Sequence, residues 1–103
     1  MKTELEILLD HQKAMAQANQ LDEIADKLDR LSEDKMEDAL GKLKSAWQSD
    51  NSPAFYSKSA IVQGDIKNSA GNVRKIARAI RETANAIKKA DLAALEIAKT
   101  RDY

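Results

Sequence analysis

Apolar residues recur at three- and four-residue intervals along most of the chain, the spacing of helices with one apolar face. In the second half the four-three alternation is unbroken and forms a heptad seam. Its positions are Phe55, Ser59, Val62, Ile66, Ser69, Val73, Ile76, Ile80, Thr83, Ile87, Ala90, Ala94 and Ile97. The pattern predicts one long helix over about 53–100.

The first half carries a similar stripe that slips once. It runs through Ala18, Leu21, Ile24, Ala25, Leu28 and Leu31 and resumes at Met36, Leu40, Leu43 and Trp47. Thr3 followed by Glu6 forms a capping box, so we expect a helix to begin there and to continue to about residue 48. The slip at Ser32–Asp34 predicts a local bend inside this helix, because neither glycine nor proline occurs at that point.

A short polar stretch separates the two helical patterns. The side chains of Asp50–Ser52 compete for backbone hydrogen bonds, Ser52 is a good N-cap, and Pro53 suits the first position of a new helix. We therefore place a turn at about 49–52. Trp47 precedes it and Phe55 follows it, so the two rings are expected to meet across the turn, and simple hydrophobic packing is sufficient to explain them.

The two halves are complementary in apolar pattern and in charge. Folding at the turn pairs positions whose numbers sum to about 101, so that Leu28 comes to lie opposite Val73. Residues 1–50 carry twelve acids against seven bases, and residues 51–103 carry five acids against ten bases. The acidic stretch 22–34 is expected to face the basic residues of the second half, namely Lys67, Arg74, Lys75, Arg78 and Arg81. Together these features predict one all-α domain, 1–103, folded as an antiparallel two-helix hairpin.

A single hairpin buries only one side of each helix, so association is expected. Ala70, Ala77 and Ala84 recur every seven residues beside the seam of the second helix. Small side chains let another helix approach closely, which makes these alanines the predicted partner interface. Small domains with thin cores gain stability by association, and two hairpins can form an elongated four-helix bundle. We therefore expect a dimer.

Composition disfavours several classes of function. The chain has no cysteine and one histidine, His11, so a thiolate zinc site is impossible and a conventional metal or catalytic centre is not expected. The net charge is zero, which disfavours nucleic-acid binding although basic residues recur every seven positions in the second half. We expect no enzyme, no cofactor and no membrane span, and the N-terminal residues do not resemble a signal peptide.

Several of these features resemble the WXG-type proteins, the early-secreted-antigen-target-like helical hairpins of type VII secretion systems. The resemblance rests on the length of about 100 residues, the midpoint Trp47, and the capped second helix with Phe55 at its start. In that family, glycine follows the tryptophan at the second position, and Ser49 stands there in this chain.

The resemblance implies a function and a set of partners. Family members are secreted without a cleavable signal peptide, after a cytoplasmic stage, or escort larger effectors to the export machinery. Partners would be a second copy, a related hairpin, or the N-terminal domain of an LXG effector. The family's export pattern corresponds here to Ile87, Asp91, Ala94 and Ala98, although a solvated surface acid explains Asp91 equally simply. A cytoplasmic coiled-coil adaptor unrelated to secretion is the alternative.

Overall fold

The structure is a computed structural model that describes residues 2–47 and 52–101, and every regular element in this part of the chain is helical. Helix α1 is Glu4–Arg30, a π-helical turn is Leu31–Met36, α2 is Glu37–Ala46 and α3 is Ser52–Arg101. The predicted all-α helical hairpin is confirmed. Its first arm consists of α1, the π turn and α2, and its second arm is α3.

The chain divides into two compact units, each built from both arms. The terminal unit combines the start of α1, up to Leu21, with α3 from Lys75 onward. The central unit is Asp22–Arg74.

In the terminal unit, polar contacts show that the two helices run antiparallel. The ring nitrogen Nε2 of His11 lies 2.7 Å from Oδ1 of Asn85. About two turns further along α1, Oδ1 of Asn19 accepts a hydrogen bond of 2.7 Å from Nη2 of Arg81. Residue numbers therefore fall on α3 as they rise on α1, and the paired numbers sum close to the predicted value.

In the central unit, ion pairs give the same antiparallel direction. Nη2 of Arg74 lies 2.8 Å from Oδ1 of Asp26 and also contacts Asp29. Nζ of Lys67 lies 3.3 Å from Oε1 of Glu33. The predicted attraction between the acidic first arm and the basic second arm is therefore present at these two positions of α3.

Two of the predicted cross-arm ion pairs are absent. Lys75 and Arg78 make no ion pair with any residue in the described parts of the chain. Both side chains lie at exposed positions of α3.

The capping box predicted at the N-terminus is present. The backbone amide of Glu6 donates to Oγ1 of Thr3 at 3.2 Å, and the Thr3 hydroxyl donates in turn to the Glu6 carboxylate at 3.2 Å. The amide of Ile7 donates to the Thr3 carbonyl at 3.0 Å. These bonds satisfy amides that the first turn of a helix leaves without intrahelical partners, so α1 begins directly after Thr3.

The slip in the first-arm stripe coincides with the π turn Leu31–Met36. A π-helical turn accommodates one more residue than an α turn, so it absorbs the single residue by which the stripe slips. As expected, the chain stays helical at the slip and forms no loop there. The distortion takes the form of a widened turn.

At the other end, the first arm stops one residue before Trp47. Trp47 has extended backbone angles, φ −122° and ψ 108°, and its amide donates to the Leu43 carbonyl at 2.8 Å. The second arm begins at Ser52, one residue earlier than predicted, and the Ser52 hydroxyl donates to the Trp47 carbonyl at 3.4 Å. Ser49 and the rest of the predicted turn before Ser52 lie outside the described residues.

Candidate helix-pairing surface

The interior of the hairpin is formed mainly by alanines, including those of α3 that the sequence pattern assigned to a partner interface. Exposure is 0% for Ala18, Ala25, Ala70 and Ala77 and 8% for Ala84. We call these five residues the alanine seam. Their spacing is seven residues on each arm, the repeat that keeps one side of a helix against its neighbour. Methyl side chains let two helix backbones approach closely.

The predicted partner interface is therefore wrong for Ala70 and Ala77, which are covered within the hairpin itself and are not available to another chain. Ala84 is 8% exposed and lines an open groove, so it remains partly accessible. The physical reason is that small side chains pack at the short interhelical distance, while the larger residues of the heptad seam are left at the edge of the contact.

Ser32 lies in the π turn, seven residues after Ala25, and continues the spacing of Ala18 and Ala25. It is fully buried in the central unit. Its hydroxyl donates to the Gln63 carbonyl at 3.0 Å, and Nε2 of Gln63 donates back to the Ser32 carbonyl. Gln63 also reaches Oε1 of Glu37 at 3.3 Å. Because a π turn alters the regular backbone bonding of a helix, these reciprocal bonds hold the widened turn against α3.

Large apolar side chains lie on the surface of both units. In the terminal unit they are Leu5, Leu8, Leu9, Ile76, Ile87 and Ile97. In the central unit they are Ile24, Leu31, Leu43, Phe55, Ile61 and Val62. We call all twelve the outer apolar residues. Scattered exposed leucines are ordinary on protein surfaces, but so many isoleucines and leucines on a small helical chain indicate an interaction surface.

Ile76 and Ile87 of this set border a shallow, open groove in the terminal unit. The groove has a volume of about 360 Å³ and is almost entirely apolar. Its lining residues are Ala14, Ile76, Ala79, Ile80, Thr83, Ala84 and Ile87. Since α1 contributes only the methyl group of Ala14, the groove is open above that residue.

The aromatic residues at the turn form one cluster, as predicted for Trp47 and Phe55. Their ring centroids lie 5.3 Å apart with the planes at 70°, an edge-to-face arrangement. Tyr56 joins them, 6.4 Å from Trp47 and 5.7 Å from Phe55, and its hydroxyl lies 3.5 Å from the Trp47 carbonyl oxygen. Sequence reasoning missed Tyr56, whose position beside Phe55 was the available signal.

The residues matched to the export pattern lie on α3 of the terminal unit. Ile87 is exposed, Asp91 and Ala98 are half-buried, and Ala94 is exposed. Oδ2 of Asp91 lies 3.9 Å from Nζ of Lys2, a distance at the outer limit of an ion pair. Ile87 and Asp91 line one shallow pocket, and Asp91 and Ala94 line a second, both shared with Lys2 and Ile7.

Lys2 bonds more closely to Asp10, at 2.8 Å. The hydrogen bond from Lys2 lowers the pKa of the Asp10 carboxyl below its ordinary 3.8, and the same bond raises the pKa of Lys2. Hydrogen bonds to Asp26 and Asp29 likewise raise the pKa of the Arg74 guanidinium. All of these groups lie at the surface, where ion pairs contribute little to stability. The bonds of Arg74 join the two arms, whereas Lys2 and Asp10 both belong to the first half of the chain.

Neither a metal-binding cluster nor a membrane-spanning segment is found in the described ranges. No three histidine, aspartate or glutamate side chains there converge in a way that could hold a metal ion. None of the helices in residues 2–47 and 52–101 combines the length and apolar character needed to cross a bilayer.

Comparisons with protein-family models, curated proteins and solved structures gave no match.

Proposed function

We propose that this chain is a non-enzymatic protein that acts by pairing its helices with helices of another polypeptide. Within that class, we propose a small secreted protein or secretion partner of a WXG-type, type VII system. It would act as a homodimer or as the accessory partner of a larger LXG-type effector. The observation that carries the pairing function is the set of outer apolar residues, which the hairpin itself leaves uncovered.

The amount of exposed surface supports pairing. The chain exposes 7734 Å², whereas a compact monomer of its mass exposes about 5,800 Å² by the usual scaling of area with mass. The excess is about 1,900 Å², more than the roughly 800 Å² that each partner buries in a standard protein–protein interface. Covering this surface by a partner would bring the chain close to the burial typical of stable folded proteins.

The link to type VII secretion rests on the resemblance around the turn. The edge-to-face contact of Trp47 with Phe55 and the hairpin fold are compatible with a WXG-type protein and support the proposal. A cytoplasmic coiled-coil adaptor would expose the same apolar residues, and serine at position 49 in place of the family's glycine is compatible with it. The two proposals differ in location: a type VII secretion protein is exported, whereas an adaptor stays in the cytoplasm.

Sedimentation equilibrium of the purified chain at micromolar concentration tests pairing. We expect a mass above the 11.4 kDa of one chain for a homodimer, and Ile76→Lys should weaken the association because it places a charge in the apolar surface. Gln20→Lys is the matched control, since it adds the same charge at an exposed polar position. A monomeric mass throughout, together with failure to bind any co-encoded helical protein, would contradict the proposal.

Fractionation of the native host tests the secretion role. We expect the protein in the culture supernatant, with a cytosolic marker retained in the cells. Ile87→Ala and Asp91→Ala should reduce export without unfolding the chain. Ile61→Ala, a control at another exposed isoleucine, should leave export unchanged. Retention of the wild-type chain in the cells would favour the adaptor. Normal export of both variants would show that Ile87 and Asp91 are not needed for export.

A further inference from the structure

We infer that the terminal-unit groove is the docking site for an amphipathic helix of a different polypeptide, one whose large apolar side chains are flanked by carboxylates. The inference rests on the proposed pairing function and names the kind of partner. It is based on the shape of the groove, on the charge of the segments around it, and on the ion pairs and hydrogen bonds that already engage most acids of the central unit.

The lining of the groove on α3 has the spacing of two consecutive coiled-coil holes. A hole consists of four residues at positions i, i+3, i+4 and i+7, into which a side chain of the facing helix inserts. The first is formed by Ile76, Ala79, Ile80 and Thr83, and the second by Ile80, Thr83, Ala84 and Ile87. The partner helix therefore inserts two side chains, three or four residues apart.

The volume of the groove matches two large side chains. A cavity of about 150 Å³ accepts a benzene ring, and the groove measures about 360 Å³. Leucine, phenylalanine or methionine on the partner fills it, whereas alanine leaves most of it empty.

The lining of the groove is uncharged, but the segments that carry it are basic, and Asp10 and Asp91 lie only at the adjoining end. Residues 11–21 and 75–90 contain one acid, Glu82, and six bases, so their net charge is +5. The bases are Lys13, Lys75, Arg78, Arg81, Lys88 and Lys89. Within the described chain, Lys75, Arg78, Lys88 and Lys89 have no ion-pair partner. A helix with carboxylates beside its apolar stripe complements this charge and is steered toward the groove.

A second copy of the chain supplies such carboxylates poorly. Its acids are concentrated on the first arm of the central unit, where most of them already have partners within the described residues of their own chain and only Glu23 and Asp34 do not. Asp26 and Asp29 bind Arg74, Glu33 binds Lys67, and Glu37 accepts from Gln63. A separate polypeptide with unpaired carboxylates fits the groove better.

Two synthetic single helices test the inference. Both carry two leucines four residues apart, both are hydrocarbon-stapled, and they differ only in having glutamates or lysines on the flanks of the leucines. Fluorescence anisotropy with the full chain should show the acidic helix binding about ten-fold more tightly at 0.15 M salt, with the difference shrinking at 1 M salt because the charges are then screened.

Two variants locate the binding. Thr83→Trp fills both holes and should weaken binding of the acidic helix about ten-fold or more. Ala60→Trp, at another exposed position, should leave that binding unchanged. The double variant Lys75→Glu with Lys89→Glu should abolish the preference for the acidic helix. Lys44→Glu with Lys58→Glu makes the same change in net charge elsewhere and should preserve it.

Equal binding of the two helices overturns the inference, as does an equal response of the charge variant and its control. If neither helix binds while the chain dimerises, the groove belongs to a second copy, and the pairing function survives without this inference. If neither helix binds and the chain neither self-associates nor binds a co-encoded helical protein, the proposed function fails as well.

Discussion

Ile76 and Ala77 are adjacent on α3, yet one is 55% exposed and the other completely buried. The difference separates two surfaces of one helix. Alanines face the other arm at short range, and Ile66, Val73 and Ile80 are half-buried beside them. The exposed large residues of α3 are Phe55, Ile61, Val62, Ile76, Ile87 and Ile97. A chain selected only to be a stable hairpin would gain more by burying the isoleucines, since each buried side chain of that size contributes about 1.5–3 kcal/mol. Under the proposed pairing function, this larger apolar surface is the one that a partner would cover.

Enlarging a residue of the alanine seam should have the largest effect on stability. Ala77→Leu forces a branched side chain between two closely packed helices, and we expect a loss near the upper end of the about 1–3 kcal/mol typical of overpacked cores. Urea unfolding followed by circular dichroism measures it. Ala86→Leu adds the same atoms at an exposed position and should change the free energy of unfolding by less than about 0.5 kcal/mol. Equal tolerance of both changes would contradict the close approach of the arms.

The polar link at the π turn should have a smaller effect. Gln63→Glu keeps the size of the side chain but removes the amide that donates to the Ser32 carbonyl, and it places a second carboxylate near Glu37. We expect a loss of about 1 kcal/mol in the free energy of unfolding. Gln17→Glu, an exposed change of the same kind, serves as the control. A stability equal to that of the control would show that the bonds to Gln63 do not hold the turn.

The smallest effect is expected at the exposed pair of Lys2 and Asp10. Because the pair lowers the pKa of Asp10, its contribution to stability is complete above pH 4 and is lost as the pH falls through the lowered pKa. Lys2→Met should move the pKa of Asp10 back up toward 3.8, as measured by NMR titration of the side-chain carboxyl. An unchanged titration of Asp10 in the variant would show that the two groups do not interact in solution.

Much of the fold could be predicted because its signals are local. The capping box at Thr3, the break after Trp47 and the slip near Ser32 each depend on neighbouring residues alone. The side of α3 that faces inward could not be read in the same way. Its alanines and its isoleucines repeat with the same period, and periodicity does not show which stripe lies at the interhelical contact.

The information needed to identify the inward side of α3 was present in the sequence of the first arm. Ala18, Ala25 and Ser32 are small residues seven apart, and they match the alanines of α3. Matching small residues on both helices indicate close approach, whereas a small residue opposite a large one does not. The groove could not be predicted, because it depends on the open space above Ala14 and not on any single residue type.

Thiol labelling at positions 76 and 77 tests the central claim most directly, because the chain contains no natural cysteine. Ala77→Cys should react slowly with a maleimide at every protein concentration, since the chain buries that position by itself. Ile76→Cys should react quickly in dilute solution and slow down as the concentration rises or as a partner is added. Protection of Cys at position 77 that depends on concentration, with none at position 76, would show that the alanines are the intermolecular surface and would contradict the account.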